Sequence, residues 1–513
     1  VSDGDFEARG PVTQINHLGF LIRDAVRLYP DRPVLLQDDV VISYAQLDER
    51  ADRVAGWLAV RGVAHGRRVA LLWQNDVRYV EALLGIMRAG AVAVPLNTRQ
   101  NDETLAYVLA DADCAGILAG PSEQDRAVAL AASSGRGDGF VAGPDDLQAA
   151  APLADPPPHH PDAVCMQPYT SGSTGRPKGV PLTHRGQLWC ADAVRKCYLF
   201  DETERALLAA PLFHKNAAMT LKSVLLAGGA CVVLPGFDPV GMLRAIDRYK
   251  ITYLSGVPAM YRMLLSQAEE LQRCDVSSVR FASAGSAPVT IDLLEDFGRE
   301  FGAPIGEGYG LTEGGPDVLL APRWGINKLG SLGLPLPGCE VQLRAQDGRT
   351  EVGTGEVGEL WVRNPGVTPG YHGLPEVTAE RIRDGWLATR DLMSKDSDGY
   401  YYFVGRTDDL INVAGENVYP KEVEQLLLRH PAVRDVAVVA GVHPVKGTVP
   451  VAFVVATSPG AVTTQELTTF FHSVGPHYAY PRVIEFVTEL PLAGTGKIDR
   501  NGLQSRARAL VEA

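Results

Sequence analysis

The stretch from Arg68 to Asn97 restricts the fold more than any other part of this chain. "RVALLWQN" (68–75) is an apolar run of buried-strand length, "VRYVEALLGIMRAG" sets Tyr79, Val80, Leu83, Leu84 and Met87 on one helical face, and "AVAVPLN" is a second strand. Strand, helix and strand in that order make a crossover, and a crossover joins parallel strands. Just upstream, "SYAQLDERADRVAGWLAVRG" opens with Ser43 and Gln46 in capping-box spacing, carries Leu47, Ala51, Val54 and Leu58 along one face and stops at Gly62. The alternation returns between 164 and 310 in "AVCMQPYTSGS", "ACVVLPG", "ITYLSGVP" and "VRFASAGSAP", each ending in small or turn-forming residues. Ligands of parallel sheets gather beyond the carboxyl ends of the strands, so chemistry is expected at these endings.

With 513 residues the chain exceeds one ordinary core. The stretch "LADPPPHHPD" (153–162) reads as a solvated linker between two α/β portions, and beside its prolines the His pair is not read as a metal site. From about 330 to 405, short strands with Gly and Pro turns predict a small β-barrel. After "GRTDDLINVAGENVYP" come a helix from Pro420, strands at 433–442 and 449–457, a helix at 464–473 and a glycine-rich loop at 493–496. The expected fold class is therefore α/β: a large N-terminal domain of two α/β subdomains plus a small β-barrel, followed by a small α+β C-terminal domain.

Lys and Arg total 48 against 61 Asp and Glu, a net charge of -13, which argues against a general partner of nucleic acid or of anionic membranes. Seven cysteines without a CxxC pair read as free thiols, and zinc is not expected. No apolar run reaches the roughly 18 residues that span a bilayer, and "VSDGDFEARG" lacks the form of a signal peptide, so stable membrane insertion is not expected and a cytoplasmic location is. A homodimer is compatible with all of this.

"YTSGSTGRPKG" (169–179) combines Gly172, Gly175 and Gly179 with Lys178, but Arg176 and Pro177 break the spacing of a Walker A loop. Its glycines allow backbone N–H groups near a polyphosphate, and Thr170, Ser171, Ser173 and Thr174 add donors, although a plain solvated turn has the same composition. "GTGEVG" (353–358) formally matches GxGxxG, yet a strand follows it, which makes it a hairpin turn. "LAGTGKID" (492–499) imitates a phosphate loop with Ile498 where Ser or Thr belongs, leaving one lysine on a Gly-hinged loop.

These pieces occur together with "PLFH" (211–214), "GSAP" (285–288), "YGLTE" (309–313), "GEL" (358–360), "GWLATRD" (385–391), "GRTDDLI" (405–411), "GENVYP" (415–420) and "PLAGTGKIDR" (491–500). In that order, over essentially the whole chain, they resemble the adenylate-forming superfamily of acyl-CoA synthetases, aryl-CoA ligases, peptide-synthetase adenylation domains and luciferases. The resemblance implies that a carboxylate attacks the α-phosphate of ATP to give an acyl-adenylate and pyrophosphate, and that a thiol then displaces AMP.

It also implies roles for matching residues. Thr170, Ser171, Gly172, Ser173, Thr174 and Lys178 would hold the β and γ phosphates while pyrophosphate departs. Gly285, Ser286, Ala287 and Pro288 would flank adenine and Tyr309 would stack on it. Thr312 would bond the α-phosphate, and Glu313 would hold Mg²⁺. Asp391 would accept hydrogen bonds from the ribose, with Arg406 near the ribose or phosphate. Lys497 would bridge the attacking carboxylate and the α-phosphate. His214 would lie near the acyl pocket and the thiol entry, and Gly415 would line a tunnel for the pantetheine of CoA. The implied organisation is an AMP-binding domain over 1–407 and a mobile lid over 408–513 that turns about Asp408.

Two departures from the superfamily pattern stand out. "ATRD" puts Arg390 where glycine is usual, which predicts a strained backbone if φ is positive and slower adenylation. "PLFHKNAAM" puts Lys215 and Asn216 at positions often apolar in aryl-acid ligases. Lys215 either pairs with a second carboxylate or a keto oxygen or points to solvent, the last being favoured. Small residues (Ala217, Ala218, Ala282, Ser283, Ala284) leave room for a bulky, hydrophobic acyl group. The leading expectation is an ATP-dependent acid:CoA ligase. Its alternatives are a ligase for the thioester-forming half-reaction on a preformed adenylate, an enzyme that loads a carrier protein or an amine, and a non-catalytic adenylate-binding protein, against which Lys497 speaks.

Overall fold

The computed structural model describes residues 15–133, 139–171, 176–285, 289–323, 325–413, 416–443, 447–491 and 498–512. Contacts divide the chain into two units: one runs to Val341 and includes Trp361–Ala388 and Gly399–Tyr401, the other comprises Gln342–Leu360, Thr389–Asp398 and everything from Tyr402.

In the first unit the crossover read from the sequence is present. Strand Arg68–Leu72 lies parallel to Val92–Pro95 with Val69 opposite Ala93, and helix Val77–Arg88 connects them. Helix Tyr44–Val60 starts at the Ser43 capping box, in which Ser43 N–H donates to Gln46 at 2.9 Å, and Gly62 follows at φ 69° where the helix has ended. The two helices pack closely because Gly85 has no side chain: a Cβ there would meet the Cβ of Val54 at 2.4 Å.

Two sheets organise this unit. A six-stranded sheet runs Leu182–Thr183, Val164–Met166, Val92–Pro95, Arg68–Leu72, Cys114–Ala119, Phe140–Ala142. A nine-stranded sheet runs Leu334–Pro335, Leu319–Leu320, Ile305–Tyr309, Phe281–Ala284, Tyr253–Gly256, Arg205–Leu208, Ala230–Val233, Pro33–Gln37, Val40–Ser43. The linker at 153–162 therefore does not separate the sheets cleanly. Strand Pro33–Gln37, well before it, pairs with Ala230–Val233, while Val164–Met166, just after it, joins the first sheet. A strand satisfies its backbone with whichever edge is open, whatever the sequence distance. Nor is the linker wholly solvated: the His159 ring sits edge-on to buried His17 at 4.3 Å, and His17 stacks on His184 at 3.8 Å.

The β portion expected between 330 and 405 is a five-stranded sheet of Glu340–Arg344, Gly358–Arg363, Ile382–Arg383, Trp386–Lys395 and Tyr401–Arg406, its residues divided between the units. "GTGEVG" turns at Gly355 (φ 83°) into the strand Gly358–Arg363, as a hairpin reading requires. In the second unit, helices Pro420–Leu428 and Thr464–Val474 accompany a three-stranded sheet of Val433–His443, Gly447–Ala456 and Val483–Phe486. Helix Arg500–Glu512, not foreseen from the sequence, brings Leu503 and Ala507 into one apolar cluster with Ala437, Val439, Val451 and Phe453 of that sheet. Among the described residues all seven cysteines are free, no helix is long and apolar enough to cross a membrane, and no His, Cys, Asp and Glu group is arranged for a metal ion.

Arg88 is the charged residue that the helical pattern does not announce. Its side chain is 1% exposed, with Nη2 at 2.6 Å from Asp48 Oδ1, Nη1 at 2.8 Å from Asp52 Oδ1 and Nε donating to the Gly19 carbonyl at 2.8 Å. Buried cations persist when every donor is met, and here one guanidinium ties the Asp48 helix turn, the Asp52 turn and the N-terminal segment together. Arg88→Met is expected to lower the free energy of unfolding by about 3 kcal/mol in urea denaturation, because those acceptors lose their only fork-shaped donor.

Candidate active site

The hairpin strands Tyr169–Ser171 and Pro177–Gly179 pair Thr170 with Lys178. Thr170 Oγ donates to Glu313 Oε1 at 3.4 Å, and the Tyr371 hydroxyl donates to the same oxygen at 3.1 Å. The Thr368 N–H donates to the Glu313 carbonyl at 2.9 Å, and Lys178 Nζ stands 5.9 Å from the centre of the Tyr371 ring. Three of the sequence-derived residues, Thr170, Lys178 and Glu313, are thus drawn into one cluster. Tyr371 is a member that sequence reasoning missed; "PGYHG" offers turn residues around it but no spacing that marks it.

Glu313 lies in a single 3-10 turn, Thr312–Gly314, inside a loop that leaves strand Ile305–Tyr309 and returns when Val318 N–H donates to the Tyr309 carbonyl at 3.0 Å. Tyr309 ends that strand, half-buried, opposite Leu319. In the neighbouring parallel strand Ala284 pairs with Glu307, so Gly285 emerges beside Gly308 and Tyr309, at the carboxyl edge where ligands were expected. A Cβ on Gly285 would come no nearer than 3.8 Å to the Gly308 carbonyl, which leaves this edge open for a flat ligand. Beneath it Glu307 is buried and accepts from the Val289 N–H at 3.2 Å; loss of hydration pushes its carboxyl up to about 7.

His214 caps helix Lys215–Leu226 as its extended N-terminal flank, with φ -93° and ψ 144°. Lys215, favoured as a solvent-facing residue, is instead half-buried and donates to the Gly310 carbonyl, because the first turn of its helix lies against the loop that follows Tyr309. Asn216 accepts from Ser255 Oγ at 2.6 Å.

In the second unit, Asp391 is 7% exposed and lies 3.6 Å from Arg406 Nε. Arg390 beside it has φ 63°, the left-handed conformation that the glycine rule anticipates. Three contacts hold it there: its N–H donates to Glu359 Oε1 at 2.8 Å, its carbonyl accepts from the Thr407 N–H at 2.9 Å, and its guanidinium is 3.4 Å from Asp408. Gly172, Ser173, Thr174, Ser286, Ala287, Pro288, Gly415 and Lys497 lie outside the described residues, as does the side chain of Ser171.

Glu313 also meets the chemical requirement for a hard cation. It is a half-exposed carboxylate with hydroxyl neighbours, and it makes no ion pair among the described residues.

Comparison with known proteins agrees with this geometry. The family model "AMP-binding enzyme" matches residues 22–372, and "AMP-binding enzyme C-terminal domain" matches 422–497. The chain is 38% identical over 486 residues to feruloyl-CoA synthase of Amycolatopsis sp, covering 94% of this chain and 97% of that one. It is 32% identical to long-chain-fatty-acid–CoA ligase of Escherichia coli O157:H7, over 96% of this chain and 95% of the relative. Among solved structures, the anthranilate CoA ligase AuaEII in complex with anthranoyl-AMP superposes with a TM-score of 0.89 at 27% identity, over 97% of this chain and 98% of the other. The O-succinylbenzoate coenzyme A synthetase of Bacillus subtilis with ATP and magnesium ion gives 0.83 at 30% identity, over 94% and 98%. The chain therefore belongs to the AMP-binding enzyme family of the adenylate-forming superfamily, and it is an AMP-forming acid:CoA ligase that works with ATP, Mg²⁺ and coenzyme A.

Proposed function

We propose that this ligase activates a bulky, largely apolar carboxylic acid and that the residues singled out above divide the work as follows. A carboxylate oxygen of the acid attacks the α-phosphorus of ATP, the bond to the β-phosphate breaks, and pyrophosphate leaves from the Thr170–Lys178 hairpin. The CoA thiolate then attacks the acyl carbon, the bond from that carbon to the phosphate oxygen breaks, and AMP leaves. Mg²⁺, held by Glu313, neutralises charge on the phosphates when bound.

Thr312 bonds the α-phosphate, Tyr309 stacks on adenine against the edge at Gly285–Pro288, and Asp391 with Arg406 binds the ribose. Lys497 stabilises the charge that builds between carboxylate and α-phosphate in the first step, and Gly415 borders the thiol path in the second. His214 stands near the acyl group. Residues 408–513 act as a lid that delivers Lys497 and then turns about Asp408. The observation that carries this reading is the convergence of Thr170 and Tyr371 on Glu313, with Lys178 beside the Tyr371 ring: two hydroxyls on a carboxylate that makes no ion pair among the described residues, and an ammonium near one of them, suit a metal–polyphosphate group. The size of the acid is supported by relatives named for ferulate, anthranilate and long-chain fatty acids.

A second reading, favoured by Arg390, gives the enzyme a slow first step and a preference for a preformed adenylate. Left-handed backbone at a non-glycine residue costs roughly 1–3 kcal/mol, and the contacts to Glu359, Thr407 and Asp408 commit the segment to one arrangement.

Incubation of an acid panel with ATP, Mg²⁺ and CoA is expected to yield acyl-CoA, AMP and pyrophosphate in equal amounts by mass spectrometry. Glu313→Gln, which keeps the shape and removes the charge, is expected to slow pyrophosphate release on the order of 100-fold. Thioester formation without AMP, or an unaffected Glu313→Gln enzyme, contradicts the assignment. For the second reading, Arg390→Gly is expected to raise the rate of pyrophosphate exchange; a native rate equal to or above that of the variant removes it.

A further inference from the structure

The segment from Thr368 to His372, "TPGYH", lies between strand Gly358–Arg363 and helix Pro375–Arg381 and belongs to neither. Pro369 has no N–H to give, and with no helix or ladder available the other backbone donors have to be met by neighbouring loops. Two loops meet them. Thr368 donates its N–H to the Glu313 carbonyl at 2.9 Å and its hydroxyl to the Pro181 carbonyl at 2.7 Å, while His372 N–H donates to the Gly179 carbonyl at 2.9 Å. One short segment thereby ties the turn that carries Glu313 to the end of the hairpin that carries Thr170 and Lys178.

Tyr371 sits inside this segment, buried, with its own N–H held by Thr378 Oγ at 2.9 Å. Thr378 is in turn fixed by donating its hydroxyl to the Leu374 carbonyl at 2.8 Å, so the backbone of Tyr371 is anchored to the helix that follows. From that anchor the phenol reaches Glu313 Oε1 at 3.1 Å, the oxygen that Thr170 also meets at 3.4 Å. Both donors act on the same oxygen. Among the described residues Glu313 Oε2 accepts no hydrogen bond, and the carboxylate makes no ion pair. A hydroxyl orients a carboxylate without bringing a positive charge, which a lysine or arginine in its place would do.

Resting on the ligase reading above, we infer that Tyr371 is a positioning residue for the adenylation step: its hydroxyl sets the Glu313 carboxylate for Mg²⁺, and its segment keeps that carboxylate in register with the phosphate-binding hairpin. A space-filling role is the alternative. The ring does join the apolar cluster of the first unit, but its hydroxyl is directed at a side-chain carboxylate of the chemical edge. Packing needs the ring alone; orientation of Glu313 needs the oxygen. The two roles also differ in which step they touch. Metal and pyrophosphate are engaged while the adenylate forms, so a residue acting through Glu313 affects the first half-reaction more than the transfer to CoA, whereas a packing defect affects both alike.

The test uses the full-length enzyme and two nucleotides: AMP, and an ATP analogue with a methylene group between the α and β phosphorus atoms, which cannot release pyrophosphate. Titration calorimetry with Mg²⁺ present is expected to show that Tyr371→Phe binds the analogue roughly 10-fold more weakly than the native enzyme, the loss typical of one hydrogen bond to a charged group. AMP is expected to bind both enzymes equally, and the difference for the analogue to vanish when Mg²⁺ is chelated. In a Glu313→Gln background the same substitution is expected to change the affinity by less than about twofold, because residues that act through one contact do not add. Pyrophosphate exchange is expected to fall by a larger factor than thioester formation from a supplied adenylate. Unchanged binding of the analogue by Tyr371→Phe, an equal loss of AMP, a difference that persists without Mg²⁺, an undiminished effect in the Glu313→Gln background, or equal losses in the two half-reactions overturns the inference. The ligase reading is tested separately, by whether the native enzyme exchanges pyrophosphate with any acid of the panel.

Discussion

One carboxylate oxygen organises the chemical edge of this protein. Glu313 Oε1 accepts from a threonine 143 residues earlier and a tyrosine 58 residues later, so three segments with no local relation are fixed at one point. That oxygen can occupy its position because strand Ile305–Tyr309 ends a parallel run and its loop is closed by the bond from Val318 to the Tyr309 carbonyl. Parallel strands deliver their carboxyl ends to the same edge of a sheet, and short polar side chains placed just past those ends converge without long side-chain excursions. An anionic oxygen held by hydroxyls instead of a lysine or arginine keeps its charge available for an external cation.

The local parts of this architecture are written in local sequence. The capping box at Ser43 and Gln46, the stop at Gly62 and the crossover from Arg68 to Pro95 follow from spacing over a few residues, and the structure reproduces them. Sheet membership is not local. Nothing near Pro33–Gln37 announces that it pairs with Ala230–Val233, since an apolar strand carries no address for its partner. The same limit hides Arg88, whose burial depends on Asp48 and Asp52 of another helix, although an acidic pair four apart and an arginine ending an apolar helix were there to be matched. Tyr371 was invisible because one tyrosine in a turn has no periodicity. Lys215 shows that a helix N-terminus can turn a long cation inward when a carbonyl awaits it.

An adenylate route is defined by which atoms change partners. If the acid's own oxygen attacks the α-phosphorus of ATP and CoA later takes the acyl carbon, that oxygen must stay with AMP. An acid whose carboxylate is fully labelled with the heavy isotope of oxygen is therefore the decisive substrate, with mass spectrometry of the nucleotide product as the readout. The expected result is AMP carrying a single labelled oxygen on its phosphate and acyl-CoA retaining the other. Label in pyrophosphate or inorganic phosphate, or AMP without label while thioester accumulates, contradicts the adenylate route.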